Sequence, residues 1–347
     1  MFPAQKFGLP NPVNLVNPVK SMFLAGDIGG TKTNLAVYAY EDDRLRMLQS
    51  ASFPSRNHAA LAEIVRLFLG ANISALKSAC FGVAGPVQGG VVQVTNLPWT
   101  VDAAALQAEL GLPKVSLLND LEANAYGIYT LEAHELFSLN PSGNPYQIGH
   151  RALIAAGTGL GEAGMMWDGV THRPFASEGG HASFAPNDDI GDELLAFLRR
   201  ERGHVSWERV LSGLGMANLY RFFRQRSSAP EPEWLTAQLA NGDLGAVVNQ
   251  AGMNGTDPVC VEVLDCFTRN YGAEAGNLAL KLLALGGVYI GGGIAPKMLP
   301  KLQSPLFLDA FCHKGRLGPL LQTIPVYVIL NDKTALQGAA WYAAHTV

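Results

Sequence analysis

Met22-Phe23-Leu24-Ala25-Gly26-Asp27-Ile28-Gly29-Gly30-Thr31-Lys32-Thr33 is the stretch on which the reading of the fold turns. An apolar run at 22–25 ends at Asp27, an alternating run follows at 33–40, and Ile28-Gly29-Gly30 lies between them. Two strand-like runs joined by paired glycines predict a β-hairpin. Adjacent glycines also let backbone N–H groups point inward together as an anion nest, and Thr31 adds a hydroxyl donor. Asp27 is a candidate for holding Mg²⁺ through water, because that ion prefers oxygen ligands and keeps part of its hydration shell. The spacing of a Walker loop is missing. From these residues alone an ordinary hairpin turn remains the competing reading.

The same unit recurs further on. Residues 152–156 and 162–167 read as strands around Ala156-Gly157-Thr158-Gly159-Leu160-Gly161. The glycines run G-x-G-x-G, and a strand follows where a dinucleotide-binding turn would open a helix. Two such loops, each between paired strands, strengthen the case for a phosphate clamp. A third cluster, Gly291-Gly292-Gly293, follows a predicted strand at 288–290. It offers bare backbone to a base or ribose, or serves as a strand-to-helix turn. The loose repetition, without any short fixed period, suggests two similar α/β halves flanking a cleft.

Around these loops, helical spacing is read at 57–70 and 121–129, and from 189 to 249 generally. Cys260, Leu264, Phe267, Tyr271, Ala275, Leu278 and Leu282 step along one long amphipathic helix. Buried strands are expected at 78–84, 115–118 and 325–330, and a closing helix at 334–344. Residues 132–149, with Pro141, Gly143 and Pro145, are loop-rich and mark the domain boundary. The expected division is a mobile arm at 1–21, a small domain at 22–130 completed by 331–347, and a large domain at 131–330.

Composition narrows the function. A net charge of −4 gives no basic face for nucleic acid or anionic lipid. No run reaches the length of a membrane span, and 1–21 do not read as a secretory signal. The four cysteines form no C-x-x-C pair, and their small number fits a reducing compartment. A cytoplasmic protein is expected.

Leu117-Leu118-Asn119-Asp120 puts an amide and a carboxylate at the end of an apolar strand, where α/β proteins bind ligands. A sugar hydroxyl is a poor nucleophile, so a carboxylate must take its proton as a phosphoryl group arrives. Asp120 is the candidate base, and Asn119 can donate and accept at once. Asp120 also reads as a helix N-cap, which leaves Asn119 without a role. Ser177-Glu178-Gly179-Gly180-His181 groups a carboxylate and an imidazole of the kind that satisfies buried hydroxyls. A lone His gives no metal spacing. Glu208, after Trp207, would pass alone for a surface charge.

Taken together, the chain resembles the bacterial glucokinase family, within the superfamily of sugar kinases, heat-shock ATPases and actin. The resemblance runs from Met22 to the C-terminus. Five stretches carry it: Gly26-Asp27-Ile28-Gly29-Gly30-Thr31; Leu118-Asn119-Asp120; Ala156-Gly157-Thr158-Gly159-Leu160-Gly161; Glu178-Gly179-Gly180-His181 with Phe184-Ala185-Pro186-Asn187; and Gly203-His204-Val205-Ser206-Trp207-Glu208-Arg209 with Val210-Leu211-Ser212-Gly213. It implies a two-domain actin-like ATPase (ribonuclease H-like) α/β fold with a cleft between a small and a large domain. It implies transfer of the ATP γ-phosphoryl group to the 6-hydroxyl of glucose, with Mg²⁺ and Asp120 as base. Asn119, Asp120, Glu178, His181 and Glu208, together with Asn96, would bind the sugar. Gly26, Asp27, Ile28, Gly29, Gly30 and Thr31, with Gly157, Thr158 and Gly159, would hold the phosphates, and Gly291, Gly292 and Gly293 the adenosine. A homodimer is expected. The zinc motif of the related repressor-kinases is not expected, since 182–191 hold no Cys. Alternatives are another hexose, another phosphoryl donor such as polyphosphate, or a non-catalytic sugar sensor.

Overall fold

The computed structural model describes residues 21–346, so the expected arm at 1–21 lies almost wholly outside the described residues. The described residues divide into two compact units, residues 21–131 with 333–346, and residues 132–332.

The first unit opens with β1 (Met22–Ile28), β2 (Lys32–Glu41) and β3 (Arg44–Pro54), then α1 (Leu61–Leu69) and β4 (Leu76–Val83). A small pair, β5 (Val91–Gln93) and β6 (Thr100–Asp102), precedes α2 (Ala103–Leu110), β7 (Val115–Asn119) and α3 (Asp120–Gly127). The sheet order is β3-β2-β1-β4-β7, with β1, β4 and β7 parallel and the two leading hairpins antiparallel. Asp102 caps α2, accepting the N–H groups of Ala104 and Ala105. One face of the sheet packs its Leu24, Leu35, Val37, Phe81 and Val83 against Ile64, Val65 and Phe68 of α1.

The second unit repeats the plan. After β8 (Leu136–Ser138) come β9 (Arg151–Ala156), β10 (Leu160–Trp167) and β11 (His172–Ser177). Helices α4 (Asp189–Arg202), α5 (Gly213–Arg226), α6 (Glu233–Asn241), α7 (Leu244–Met253) and α8 (Pro258–Leu282) follow, then β12 (Val288–Gly291). Short helices α9 (Leu299–Leu302), α10 (Pro305–Cys312) and α11 (Gly318–Gln322) lead to β13 (Val326–Ile329). The sheet order β11-β10-β9-β12-β13 repeats that of the first unit, and β8 adds an antiparallel edge. The 25-residue α8 starts on Pro258 behind the cap Asp257, whose carboxylate also takes two bonds from Arg224.

The last helix, α12 (Thr334–His345), belongs to the first unit. It crosses α3 where Gly127 faces the Thr334 carbonyl and Gly338 faces the Ala123 carbonyl, so closely that a methyl group at either glycine would overlap the facing backbone. Ala339, Ala340 and Ala343 then cover the second face of the first sheet. Among the described residues no helix is long and apolar enough to cross a membrane.

Candidate functional site

In the first unit, β1 and β2 pair from Met22↔Ala39 to Ile28↔Thr33, so the hairpin closes on Gly29, Gly30 and Thr31. The turn is held by a residue the sequence does not advertise. Ser55, fully buried, donates its hydroxyl to the Gly29 carbonyl at 2.8 Å, sits 3.0 Å from the Thr33 hydroxyl, and gives its N–H to the Thr31 carbonyl at 3.0 Å. Gly30 lies against Thr95 and Asn96: a Cβ there would come within 3.0 Å of the Thr95 carbonyl and the Asn96 Cβ. Asn96 itself adopts a left-handed φ of 64°. The expected Asn96 and the first glycine loop are therefore neighbours.

Two members of the stretch turn inward. Gly26 is in strand, with the Phe81 ring where a side chain would stand, and Ile28 is fully buried. Thr31 and Lys32 are exposed. Asp27 is half-buried and accepts a bond from Asn34 Nδ2 at 3.2 Å; burial raises its carboxyl above the usual range, against the pull of Asn34.

The helix cap falls on Asn119, correcting the assignment to Asp120. Asn119 is extended (φ −62°, ψ 151°), and its Oδ1 accepts the N–H groups of Leu121 at 3.0 Å and Glu122 at 3.4 Å. Its Nδ2 donates to the Gly85 carbonyl at 3.1 Å, leaving one amide hydrogen for a ligand. Asp120 is the first residue of α3, half-buried, where the unsatisfied N–H groups of a helix favour negative charge. The turn packs tightly because Gly82 of β4 is bare: a Cβ there would come within 2.7 Å of the Ala123 Cβ.

In the second unit three expected pieces meet at Leu160. Its N–H donates to Glu208 Oε2 at 3.1 Å. That carboxylate lies over Gly159, where any side chain would collide with it. The Leu160 carbonyl faces Gly180 just as closely. The turn at 178–181 and the turn bearing Glu208 are also joined to each other, through Trp207 N–H to Ala182 C=O at 3.0 Å and Phe184 N–H to Val205 C=O at 2.9 Å. Glu178 and His181 stand 4.0 Å apart with side chains more than half exposed. Gly157 is open: a methyl group there would meet nothing within 4 Å, and the Gly157 carbonyl accepts the Gly213 N–H at 2.8 Å.

The third glycine cluster sits beside the second. Gly291 pairs with Ala155, Gly292 (φ 80°) lies against the backbone of Ala156, and the Ile294 N–H reaches the Ala156 carbonyl at 3.2 Å. Gly293 is open. Tyr271 of α8, fully buried, locks this junction: its hydroxyl accepts the Ala156 N–H at 3.1 Å and lies 3.3 Å from the Gly291 carbonyl. In the sequence Tyr271 is legible only as a helix-face residue. Glu162, 1% exposed within β10, goes unnoticed there too; its sole signal is one carboxylate in an otherwise uncharged strand.

Comparison with known proteins accords with this arrangement. The glucokinase family model matches residues 24–346. A glucokinase of Nostoc punctiforme is 42% identical, over 93% of this chain and 99% of its own. Among solved structures, a glucokinase from an Antarctic psychrotroph superposes with a TM-score of 0.79 at 30% identity, covering 93% of this chain and 99% of that one. A ROK family glucokinase from Streptomyces griseus, in complex with glucose and AMPPNP, gives 0.59 at 22% identity, over 93% and 99% of the two chains, a likeness of fold alone. The fold is the two-domain α/β fold of the actin-like ATPases. With the family model spanning nearly the whole chain and a relative this similar over its full length, the protein belongs to the glucokinase family.

Proposed function

We propose that this chain transfers the γ-phosphoryl group of ATP to the 6-hydroxyl of glucose, giving glucose 6-phosphate and ADP. The observation that carries this reading is the meeting at Leu160. A glycine loop suited to phosphate oxygens and two turns bearing sugar-type acceptors, Glu208 and Glu178 with His181, share one residue's backbone. Asp120 accepts the proton of the sugar hydroxyl as the phosphoryl group arrives. Asn119 donates its remaining amide hydrogen to the sugar, and Asn96, Glu178, His181 and Glu208 bind the other hydroxyls. N–H groups at Gly30, Thr31, Thr158 and Gly159 hold phosphate oxygens, with Gly26 and Ile28 fixing the first turn from within; Gly29 and Gly157, expected as donors too, instead shape the loops by giving their N–H groups to the Lys32 and Gly159 carbonyls. Gly291, Gly292 and Gly293 accept the adenosine.

Asp27 suits Mg²⁺ bound through water, because a carboxylate disfavoured by burial gains from a nearby cation. Held there, the ion would neutralise the charge of the phosphates. Cytoplasmic residence fits the four free cysteines, three of them buried. A homodimer is the family expectation, and light scattering at working concentration tests it.

The deciding experiment is a product assay with ATP, Mg²⁺ and a panel of hexoses. Glucose 6-phosphate should form fastest from glucose, and EDTA should stop turnover without lowering the melting temperature. No phosphorylated product from any hexose would overturn the reading.

A further inference from the structure

Glu162 is the one carboxylate of β10 and lies in the interior, 1% exposed. It stands opposite Ile154 of β9 and Ser177 of β11, so it points to the side of the sheet covered by α8. Its Oε2 lies against Gly179, where even a methyl group would overlap it. Gly179 also donates its N–H to the Ser177 hydroxyl at 3.0 Å and accepts the Ala182 N–H at 2.9 Å. The carboxylate is thus the floor on which the turn at 178–181 rests.

Behind Glu162 is a second interior carboxylate. Glu274 of α8 is fully buried and accepts bonds from Asn277 Nδ2 at 2.7 Å and Lys281 Nζ at 2.9 Å. Lys314 Nζ holds Asn277 in turn, at 2.7 Å from its Oδ1, and reaches the Ala273 carbonyl at 2.9 Å. Glu274 is therefore satisfied by Asn277 and Lys281, and it is the interior carboxylate that neighbours Glu162. Burial, and then the neighbouring Glu274, disfavour the charged form of Glu162.

We propose that Glu162 is a positioning residue for sugar binding: from the interior, with its carboxyl group against Gly179, it supports the turn carrying Glu178 and His181. This rests on the reading of Glu178 and His181 as sugar ligands. Ionisation of Glu162 puts a negative charge beneath Gly179, pushes the turn, and weakens sugar binding without touching the nucleotide loops. The charged and titratable groups around Glu162 are Glu274, Lys281 and Tyr271 on α8, Lys314 after α10, Glu178 and His181 in the turn, and Glu208 beyond Leu160. Burial first, then the charge of Glu274, raises the Glu162 carboxyl to about 7, while Lys281 pulls it down.

The test compares Glu162→Gln and Glu162→Ala with the wild type, by steady-state kinetics and equilibrium glucose binding from pH 6 to 8.5. Glu162→Ala should raise the KM and Kd for glucose by ~10-fold, leaving the KM for ATP within ~3-fold, since a displaced contact costs on the scale of one or two hydrogen bonds. Glu162→Gln keeps the shape of the protonated acid. It should restore glucose binding at pH 6 and remove the weakening that the wild type shows above pH 7. If Glu162→Ala does not fold, Lys281→Met, altered at a half-exposed side chain, reads the same coupling. Lys281 pulls the Glu162 carboxyl down, so without the lysine Glu162 keeps its proton to higher pH and the alkaline loss of glucose binding should move with it. Glucose binding within twofold of wild type in Glu162→Ala, or an unchanged pH profile in Glu162→Gln or Lys281→Met, overturns the proposal. A wild-type protein that phosphorylates no hexose would instead overturn the function on which it rests.

Discussion

Glu208 and Leu160 are joined by a 3.1 Å hydrogen bond from the Leu160 N–H to the Glu208 carboxylate, directly over Gly159. An acidic side chain proposed to bind sugar is thereby fastened to the loop proposed to bind phosphate. Its position depends on a glycine remaining bare, and the two kinds of contact cannot be displaced independently.

Gly159→Ala should separate these roles from simple loop flexibility. Its methyl group would displace Glu208, whereas at Gly157 there is open space. Gly159→Ala should lower the melting temperature and reduce kcat/KM for glucose by ~10–100-fold, the scale on which a ~1 Å misplacement acts. Gly157→Ala should melt like the wild type and raise mainly the KM for ATP. Differential scanning calorimetry with steady-state kinetics distinguishes the pair, and equal melting temperatures would remove the steric argument.

At residues 119 and 120, stability and chemistry part company. Asn119→Ala removes the cap of α3 and the bond to Gly85, and should cost ~1–2 kcal/mol in urea unfolding. Asp120→Asn leaves that cap in place, so the fold and glucose binding should survive while kcat falls by ~10²–10⁴. Near-normal turnover in folded Asp120→Asn would exclude Asp120 as the base.

The same two residues show how far the sequence can be read. Asn and Asp are equally good caps, so only the extended backbone at Asn119 settles which one serves. The β1–β2 and β9–β10 hairpins are legible because clustered glycines between apolar runs carry local information. Strand β3 is not, since its side chains are mostly half-buried or exposed and mix Arg44, Arg46, Gln49 and Ser50 with apolar groups. Strand β8 is only three residues long within a stretch that reads as loop. Ser55 is invisible for another reason: its partners Gly29 and Thr33 lie more than twenty residues away, and a lone serine announces nothing. The glycine and acidic residues that meet at the candidate site stand out in the sequence, but their adjacency at Leu160 is a tertiary fact.

Trp207 offers an optical readout of that adjacency. It is 2% exposed, edge-on to Phe184 with ring centroids 4.9 Å apart, and next in sequence to Glu208. Sugar held by Glu208 should alter its surroundings and give a saturable change in tryptophan fluorescence. Trp207→Phe should abolish the change while leaving glucose affinity within about threefold, as a conservative aromatic exchange in a core allows. Persistence of the full signal in Trp207→Phe would assign it to another of the chain's tryptophans.

The interior acid at Glu162 also predicts how stability depends on pH. Burial, then Glu274, raises its carboxyl from an ordinary 4.5 to about 7, so the folded chain binds this proton more tightly than the unfolded chain. The resulting stabilisation is complete below about pH 4.5 and is lost progressively as pH rises through about 7. Glu162→Gln cannot titrate, so the comparison removes this group's own contribution to the pH dependence. The melting temperature of Glu162→Gln minus that of the wild type should therefore increase from pH 5 to pH 8, as the wild type alone loses stability. Calorimetry at three or four pH values measures the difference directly. A difference that stays constant across this range would mean that Glu162 does not titrate between pH 5 and pH 8.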